Sequence, residues 1–485
     1  MTEMRRGMAA RLRRLAVVFM AAYFLLSALL VYWQVVRAPD LVNRPDNPRL
    51  YAARLAVHRG AISDRRGVVL EQTTFTGDNP VRTLYDPSLS ALIGYHSQQF
   101  DNTGLEDAYN DYLNGAAATQ PLDNTIRRLL HEPVLGDTLQ LTIDDRIQRL
   151  ADAALGDGPG VALVADPRTG QILAMVSKPS YDANRIDEPG YWESLQGSSG
   201  QLVNRALDGL YPPGSLFKTI TLADALSSGR FTLQSLFSGQ EATGPLFVGG
   251  SELGTATNNL PPGVNQVTLE DAYMYSDNIV FANLGLKLGA NALVQGATRF
   301  GFGQSIPFDL PVATSTVTGK AGSLQSAYNL ATSAFGQAGV LATPLQVLLM
   351  DEAIANDGTI MQPMVVQTVR APDGEVLLDN RAQVWQQALD PAVAHEVAQA
   401  MVRAVNGPGA SGYAAQLPGV VVAGKTGTAQ VDGAGKLPHA WFMAFAPANN
   451  PRLAVVVLKE NAGEGATVAA PIARQILAGA LPLYP

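Results

Sequence analysis

The longest uncharged apolar run in the chain lies near its N-terminus and extends from Leu15 to Val36. At about 1.5 Å per residue, a helix of this length spans roughly 33 Å, enough to cross the hydrocarbon layer of a membrane. Five arginines precede the run, whereas only Arg37 directly follows it. This asymmetry predicts one anchor, with residues 1–14 in the cytoplasm and the chain after the anchor outside. The alternative is a cleaved signal peptide, with Val36-Arg37-Ala38 as the cleavage site. The apolar run is longer, however, than the apolar region of a signal peptide.

After a Pro- and Asn-rich tether over residues 40–58, the apolar positions form short runs that alternate with helical patterns. The short runs predict strands at 139–143, 160–165, 171–177, 420–423 and 453–458. Helical spacing predicts a helix that Asp144 caps and a closing helix over 471–480. Because strands lie at both ends of this stretch and helices lie between them, we expect one sheet covered by helices, an α/β or α+β fold.

One predicted helix is apolar on nearly every side, which is typical of a buried helix. It begins at Ser215, after Tyr211-Pro-Pro-Gly, and runs to about Ser228. Its first turn nevertheless carries a hydroxyl at Ser215 and an amine at Lys218. Positions i and i+3 share a helix face, so the two groups can meet. A desolvated lysine that takes the serine proton would make Ser215 a nucleophile. The alternative interpretation of the same two residues is a serine that caps the helix and a lysine on the protein surface.

Composition narrows the classes of function. The 485 residues are too many for one ordinary core and predict two or three domains. The net charge of −8 and the lack of a basic block beyond the N-terminus give no basis for nucleic-acid binding. No cysteine is present, which excludes disulfides and thiol catalysis, and the five histidines form no His-x-x-x-His pair. We therefore expect no metal site and no cofactor.

Two polar elements follow the serine in order. Ser276-Asp277-Asn278 stands 61 residues after Ser215, between two helical patterns, and predicts a tight turn with polar groups pointing inward. Lys425-Thr426-Gly427-Thr428 begins 149 residues later and continues the apolar strand from Val420. Glycine in a strand often marks the close approach of another backbone, and a peptide substrate that adds as a strand would need that space.

Ser-x-x-Lys, Ser-x-Asn and Lys-Thr-Gly in this order resemble the signature of penicillin-binding proteins and serine β-lactamases. The resemblance extends to class B penicillin-binding proteins over almost the whole chain. The further matching motifs are Arg59-Gly60 with Asp64-Arg65 and Gly67, Gly104-Leu-Glu106 with Gly115, Leu141-Thr-Ile-Asp144, Gly336-Gln-Ala-Gly339 and Thr343-Pro-Leu-Gln346. The resemblance implies a peptidoglycan D,D-transpeptidase of cell-wall synthesis and cell division, which β-lactams acylate covalently.

The roles of the catalytic residues follow from this resemblance. It implies that Ser215 attacks the penultimate D-alanine carbonyl of a stem peptide and that Lys218 is the general base. Lys218 must be neutral to act, so we expect burial and a neighbouring cation such as Lys425 to lower its pKa. Ser276 would relay a proton to the leaving amine, and Asn278 would bind the Lys218 amine or the substrate amide.

The strand motif has binding roles in the same family. The resemblance implies that Lys425, Thr426 and Thr428 hold the terminal carboxylate, with Gly427 between them. The backbone N–H groups of Ser215 and Thr428 would form the oxyanion hole. Asp277 receives no role.

The resemblance also implies the domain organisation. Residues 37–150 would form a non-catalytic, dimerisation-like pedestal and residues 151–485 a transpeptidase domain with a central antiparallel sheet between helices. In the pedestal, Asp64-Arg-Arg-Gly67 predicts a turn between two short strands, and a helical pattern runs from Gly104 to Gly115. No cluster of converging acids, bases or nucleophiles is expected there. A separate membrane glycosyltransferase would be the partner enzyme.

Two alternatives stay open at this stage. A β-lactamase or D,D-carboxypeptidase would use the same serine but transfer the acyl group to water. Glu352-Ala-Ile-Ala-Asn356 has the glutamate–asparagine spacing of class A β-lactamases, although 343–356 predicts one continuous helix. A non-catalytic scaffold or β-lactam sensor is the second alternative. The sequence does not indicate the acceptor diamine, the oligomeric state, any regulation by phosphorylation, or a septal rather than lateral role.

Overall fold

The structure is a computed structural model. It describes residues 2–38, 40, 57–77, 79–97, 99–117, 127, 130, 132–197, 200–253, 259–319, 324–431 and 435–484. The described chain forms two compact units, of which the first comprises parts of 1–58, 75–80 and 120–135 and the second the remainder.

The first unit contains the N-terminal helix α1, Thr2–Val31, which continues as a wider π-type turn, Tyr32–Val36. From Gly7 to Val36 this element is long and apolar enough to cross a membrane, and none of it is buried within the structure. The prediction of an apolar helix over 15–36 is thus confirmed. Strands β1, Val57–His58, and β5, Val134–Leu135, form a parallel pair. Most of the predicted tether, residues 41–56, lies outside the described residues.

The second unit is built around a five-stranded antiparallel sheet with the order β17-β18-β19-β7-β8. Its strands are β7 Gly160–Asp166, β8 Gln171–Lys178, β17 Ala423–Ala429, β18 His439–Ala446 and β19 Leu453–Lys459. Every residue of β18 and β19 is buried, because helices cover both faces of the sheet. The predicted α/β (α+β) class, with a central antiparallel sheet between helices, is confirmed.

Alternate side chains of the strands enter two different cores, as the pleat of a strand requires. Val161, Leu163 and Ala165 face the larger core, which includes the first turns after Pro213. Ala162 and Val164 face the smaller core, formed with the closing helix and the helix that Asp144 caps. The helix that Asp144 caps and the closing helix, which are far apart in sequence, therefore pack together on one face of the sheet.

Fifteen helices are described in the two units. They are α1 Thr2–Val31, α2 Ser90–Ile93, α3 Gly104–Ala108, α4 Asn110–Leu113, α5 Asp145–Leu155, α6 Tyr191–Gln196, α7 Lys218–Ser227, α8 Gln240–Thr243, α9 Leu269–Met274, α10 Asn278–Leu288, α11 Ala290–Arg299, α12 Ala327–Ser333, α13 Pro344–Ala355, α14 Pro391–Asn406 and α15 Ala469–Ala480.

A second sheet of six strands has the order β15-β14-β6-β2-β3-β4. Its strands are β2 Ile62–Ser63, β3 Val69–Thr76, β4 Asn79–Leu84, β6 Thr138–Leu141, β14 Val366–Arg370 and β15 Val376–Asp379. Three antiparallel pairs of short strands lie elsewhere. They are β9 Leu236–Ser238 with β12 Gln266–Thr268, β10 Leu246–Val248 with β11 Ser251–Leu253, and β13 Thr359–Met361 with β16 Val384–Gln387.

Two strand predictions need correction. The strand predicted over 420–423 begins only at Ala423, because Val420 forms an isolated bridge with Leu417 in a turn. Strand β18 was not predicted, although it pairs with both β17 and β19. Its continuous apolar run, buried on both faces, carries no alternation that would distinguish a strand from a buried helix.

Residues 59–115 contain a buried group of charged side chains that was not predicted. The side chains of Arg59, Glu71, Arg82 and Glu106 form a buried ion cluster, and each of these side chains is less than a tenth exposed. Glu106 bonds to Arg59 and, at 2.6 Å, to Arg82, which also lies 3.2 Å from Glu71. Burial alone would raise the pKa of Glu106, but Arg82 and Arg59 lower it to about 2. The cluster escaped prediction because its partners are separated by 47 and 24 residues in sequence.

Candidate active site

The segment before Ser215 is fixed by its backbone. Tyr211 and Ala342 exchange two backbone hydrogen bonds of 3.0 and 2.8 Å. The Trp441 indole donates to the Pro212 carbonyl at 3.1 Å. Gly214 has a φ of 54°, a region that favours glycine, and a Cβ there would lie 2.6 Å from Thr428 O. The chain therefore enters the turn at Ser215 in contact with strand β17.

Ser215 lies in a 3-10 turn, Gly214–Phe217, and the α-helix begins only at Lys218. The predicted helix over 215–228 is thus one turn shorter as an α-helix, because the constrained residues from Pro212 to Gly214 tighten its start. Ser215 is partly exposed, and within the described part of the chain its hydroxyl forms no hydrogen bond. A partly exposed serine one turn before a buried lysine has a hydroxyl that can meet a substrate.

The predicted turn at Ser276 is present and has an unusual backbone. Ser276 has a φ of 61°, the left-handed region that a serine rarely occupies. Asp277, which received no role in the sequence, caps α10 by accepting from Val280 N at 2.9 Å. The other carboxylate oxygen of Asp277 accepts from Asn259 N at 2.9 Å. A strained conformation held by such contacts is typical of functional sites.

Lys218 is completely buried and points at this turn. Its Nζ donates to Ser276 O at 2.6 Å and to Asn278 Oδ1 at 2.7 Å, and it lies 3.3 Å from Ser276 Oγ. Both carbonyl oxygens can only accept, so they use two amine N–H groups. In a neutral amine the remaining lone pair is then available to take a proton.

Lys425 reaches the same serine from strand β17. Its Nζ donates to Ser276 Oγ at 2.7 Å and to Thr426 O at 3.1 Å. Lys425 is also completely buried, and neither lysine forms an ion pair with any of the residues that the structure describes. We call Lys218, Ser276, Asn278 and Lys425 the amine cluster.

Burial changes the ionisation of both amines. It lowers the pKa of Lys218 to about 7, against the opposing effect of the Asp277 carboxylate. It lowers the pKa of Lys425 well below the usual lysine value, and the charge of Lys218 lowers it further. Desolvation is therefore the main reason that an amine in this cluster can be neutral near neutral pH.

Strand β17 lies at the edge of the five-stranded sheet, with β18 on its other side. The Thr426 hydroxyl donates to Ser411 Oγ at 3.1 Å, and Thr428 Oγ1 accepts from Gly465 N at 3.3 Å. The expectation that the strand glycines leave space for a substrate is wrong. A Cβ at Gly427 would lie 2.8 Å from Leu216 Cγ and 2.9 Å from Pro213 O, so the protein itself fills that space.

Three polar residues at the site were not found from the sequence as participants. Asp277 and Asn259 hold the Ser276 turn, and Ser411 lies next to Thr426. Only Asp277 carried a signal, since it directly precedes a helical pattern and aspartate is a favoured N-cap. Ser411 and Asn259 lie in irregular segments, where no periodic pattern identifies them.

Glu352 is outside this site. The continuous helix predicted over 343–356 is observed as α13, and Glu352 is completely buried in it. Burial raises its pKa well above the usual value, as do the carboxylates of Asp351 and Asp166. A buried, neutral carboxyl beside those two residues does not activate water at Ser215, so the spacing shared with class A β-lactamases is coincidental.

Comparison with known proteins agrees with this geometry. Residues 160–478 match the family model of the penicillin-binding protein transpeptidase domain. The peptidoglycan D,D-transpeptidase PbpA of Mycolicibacterium smegmatis is 34% identical over 97% of this chain and 98% of its own. The protein of that name from Mycobacterium tuberculosis is 33% identical over 98% of this chain.

Solved structures give the same assignment. The ceftriaxone acyl-enzyme complex of M. tuberculosis penicillin-binding protein A has a TM-score of 0.80 and 32% identity, over 88% of this chain and 99% of that one. The D,D-transpeptidase domain of an Eggerthella lenta peptidoglycan glycosyltransferase has a TM-score of 0.78 and 33% identity over the same shares. This chain therefore belongs to the penicillin-binding protein transpeptidase family, as a class B penicillin-binding protein similar to the actinobacterial penicillin-binding protein A.

Proposed function

We propose that this protein is a serine D,D-transpeptidase that cross-links peptidoglycan stem peptides. The observation that carries the proposal is the convergence of two buried amines on Ser276. One of them, Lys218, lies one turn after the partly exposed Ser215. Such a cluster supplies a neutral base without histidine. The names of the relatives, peptidoglycan D,D-transpeptidases, give the same reaction class.

In the acylation step, Ser215 Oγ attacks the carbonyl of the penultimate D-alanine while its proton passes to Lys218. The tetrahedral intermediate collapses with cleavage of the peptide C–N bond. The leaving amine takes a proton through the Ser276 hydroxyl, which Lys425 holds at 2.7 Å, and free D-alanine departs. The amine of a second stem peptide then attacks the ester, forms the cross-link and returns the proton to Ser215.

The terminal carboxylate of the donor peptide would bind at Lys425, Thr426 and Thr428. Burial disfavours the charged form of Lys425, so an incoming carboxylate supplies the countercharge that the folded protein does not place in contact with it. Strand β17 is an edge strand, and its outer side offers backbone groups to an extended peptide. The same contacts would bind the carboxylate of a β-lactam.

We assign the oxyanion hole to the backbone N–H groups of Ser215 and Thr428. The close approach of Gly214 to Thr428 O supports this assignment, because it brings the serine turn next to β17. Two fixed donors aimed at the developing oxyanion require no reorganisation during the reaction.

We further propose that α1 is an uncleaved anchor with residues 1–14 in the cytoplasm and the transpeptidase outside. The arginines before the anchor support this orientation. Residues 37–150 would serve as the pedestal and 151–485 as the catalytic domain, working with a separate membrane glycosyltransferase. Accessibility of residues 1–14 and 151–485 to protease in right-side-out vesicles tests the orientation.

The proposed chemistry is tested by covalent labelling with a fluorescent penicillin, using the full chain in detergent. Wild type is expected to retain the label through denaturation, and Ser215→Ala to lose it completely. Label that persists in Ser215→Ala would refute the nucleophile. Steady release of hydrolysed penicillin by wild type would favour a hydrolase, and an unlabelled wild type would favour a non-catalytic scaffold.

A further inference from the structure

The left-handed turn at Ser276 needs restraints, because a non-glycine residue is strained in that backbone conformation. Some restraints are local: Ser276 N donates to Tyr273 O at 3.1 Å, and Asp277 N to Ala272 O at 2.8 Å. Both lie at the end of α9 and fix the entry to the turn. They do not fix the Ser276 carbonyl, which makes the shortest hydrogen bond of Lys218, at 2.6 Å.

That carbonyl has a second donor, Asn259. The Asn259 side-chain amide donates to Ser276 O at 2.7 Å, while its backbone N–H donates to Asp277 Oδ2 at 2.9 Å. Asn259 is exposed, and a substitution at an exposed residue ordinarily changes little. Here an exposed side chain contacts the turn that carries the proposed proton relay.

The chemistry of an amide suits this position. Lys218 must gain and lose a proton during the reaction, so its bond to Ser276 O changes in strength. The Asn259 amide does not titrate and therefore holds the carbonyl in place in every protonation state. It also shares the carbonyl with Lys218, so the carbonyl favours the protonated amine less than it would alone.

We infer that Asn259 is a positioning residue of this transpeptidase, one that holds the Ser276 carbonyl and hydroxyl in the geometry that Lys218 and Lys425 need. The inference rests on the proposed function. It concerns a residue outside the three signature motifs, which acts through Ser276.

The experiment measures the second-order rate of acylation by a fluorescent penicillin from about pH 5.5 to about pH 9. The variants are Asn259→Ala and Asn259→Asp. In both, the backbone bond to Asp277 is retained. The matched control is Asn380→Ala. It also removes one hydrogen bond from a side-chain amide to a backbone carbonyl, at 2.9 Å to Val366 O, but far from Ser276 in sequence.

Asn259→Ala is expected to lower the acylation rate about tenfold, the equivalent of one hydrogen bond, with a melting temperature no lower than that of Asn380→Ala. Asn380→Ala should acylate like wild type. Asn259→Asp places a carboxylate at Ser276 O, near Lys218. Like the charge of Asp277, this charge favours the protonated form of Lys218, whereas a charge on Lys425 opposes it. The rise of the acylation rate with pH should therefore move to higher pH by about one unit.

Rates of Asn259→Ala within twofold of wild type, or an unshifted profile for Asn259→Asp, would overturn the inference. A rate loss matched by Asn380→Ala would do the same, since it would indicate a general effect on stability. Wild type that fails to acylate would instead refute the proposed function, so the two failures are distinguishable.

Discussion

The ion cluster around Glu106 and the amine cluster of the candidate active site are both buried, but burial has opposite consequences for the charges of their side chains. In the ion cluster, two arginines contact two glutamates, and the Glu106 carboxylate is held ionised. In the amine cluster, the two lysines donate to one hydroxyl and three carbonyl oxygens, and burial lowers the pKa of both amines.

The difference shows how one fold separates stability from reactivity. A compensated pair of buried charges stays ionised over a wide pH range and fixes the geometry around it. An amine that is buried without a carboxylate in contact gains a pKa close to the pH at which it must exchange protons. Substitutions in either cluster, and at a further buried carboxyl, test this difference.

The largest effect is expected from removal of the proposed base, Lys218. Lys218→Ala should slow acylation by a β-lactam by roughly 10²–10⁴-fold, the usual range for loss of general-base catalysis. Stability should not fall sharply, because Asn259 still donates to Ser276 O. Stopped-flow acylation and thermal melting measure the two quantities, and an unchanged rate would exclude Lys218 as the base.

Breaking the ion cluster should act on stability and not on chemistry. Glu106→Gln leaves Arg59 and Arg82 buried without their shared carboxylate, which we expect to cost about 3–5 kcal/mol of unfolding free energy. Denaturant unfolding tests this, and the acylation rate of the folded protein should stay at the wild-type value. The control is Glu188→Gln, which removes an exposed pair with Arg185 and should leave the melting curve unchanged.

A smaller effect is expected at the second amine. Lys425→Ala should slow acylation by a penicillin with a free carboxylate by roughly tenfold to a hundredfold, as expected for a hydrogen bond to a charged group. The methyl ester of the same penicillin should lose less, because it offers no charge to Lys425. Equal losses for acid and ester would mean that Lys425 acts only through Ser276 Oγ.

The smallest effect is expected at Asp351, which is a buried carboxyl outside both clusters. Neither of its carboxyl oxygens has a hydrogen-bond partner in the described chain, and burial raises its pKa well above the usual value. The unfolded chain therefore releases a proton that the folded protein keeps, so stability falls as pH rises above the unfolded pKa. Asp351→Asn should melt a few degrees higher than wild type at neutral pH, and this gain should vanish in acid. If the higher melting temperature of Asp351→Asn persisted in acid, the raised pKa of Asp351 would not be its cause.

The sequence was sufficient to predict the parts of the site that depend on local spacing. The helical turn that holds Ser215 and precedes Lys218, the turn at Ser276 and the strand at Lys425 are present, while the catalytic roles of these residues stay predictions. What could not be predicted depends on contacts between distant segments. Asn259 lies 17 residues from Ser276, and Arg59 lies 47 residues from Glu106, with no periodicity to connect them.

The packing of the site shows the same limit. Glycine at 427 indicated a close approach but not its partner, which is Leu216 of the serine turn and not a substrate. The sequence shows that position 427 has no side chain, but only the folded structure shows which residues pack against it.

The most direct test of the account is the pH dependence of acylation by benzylpenicillin in wild type and Lys218→Ala. With Lys218 as the neutral base, the wild-type rate should rise with pH and level off above an inflection near the Lys218 pKa of about 7. In Lys218→Ala the rate should be low and should lack that inflection. A wild-type rate that is flat across this range, or an inflection that survives in Lys218→Ala, would contradict the claim that the buried amine performs the chemistry.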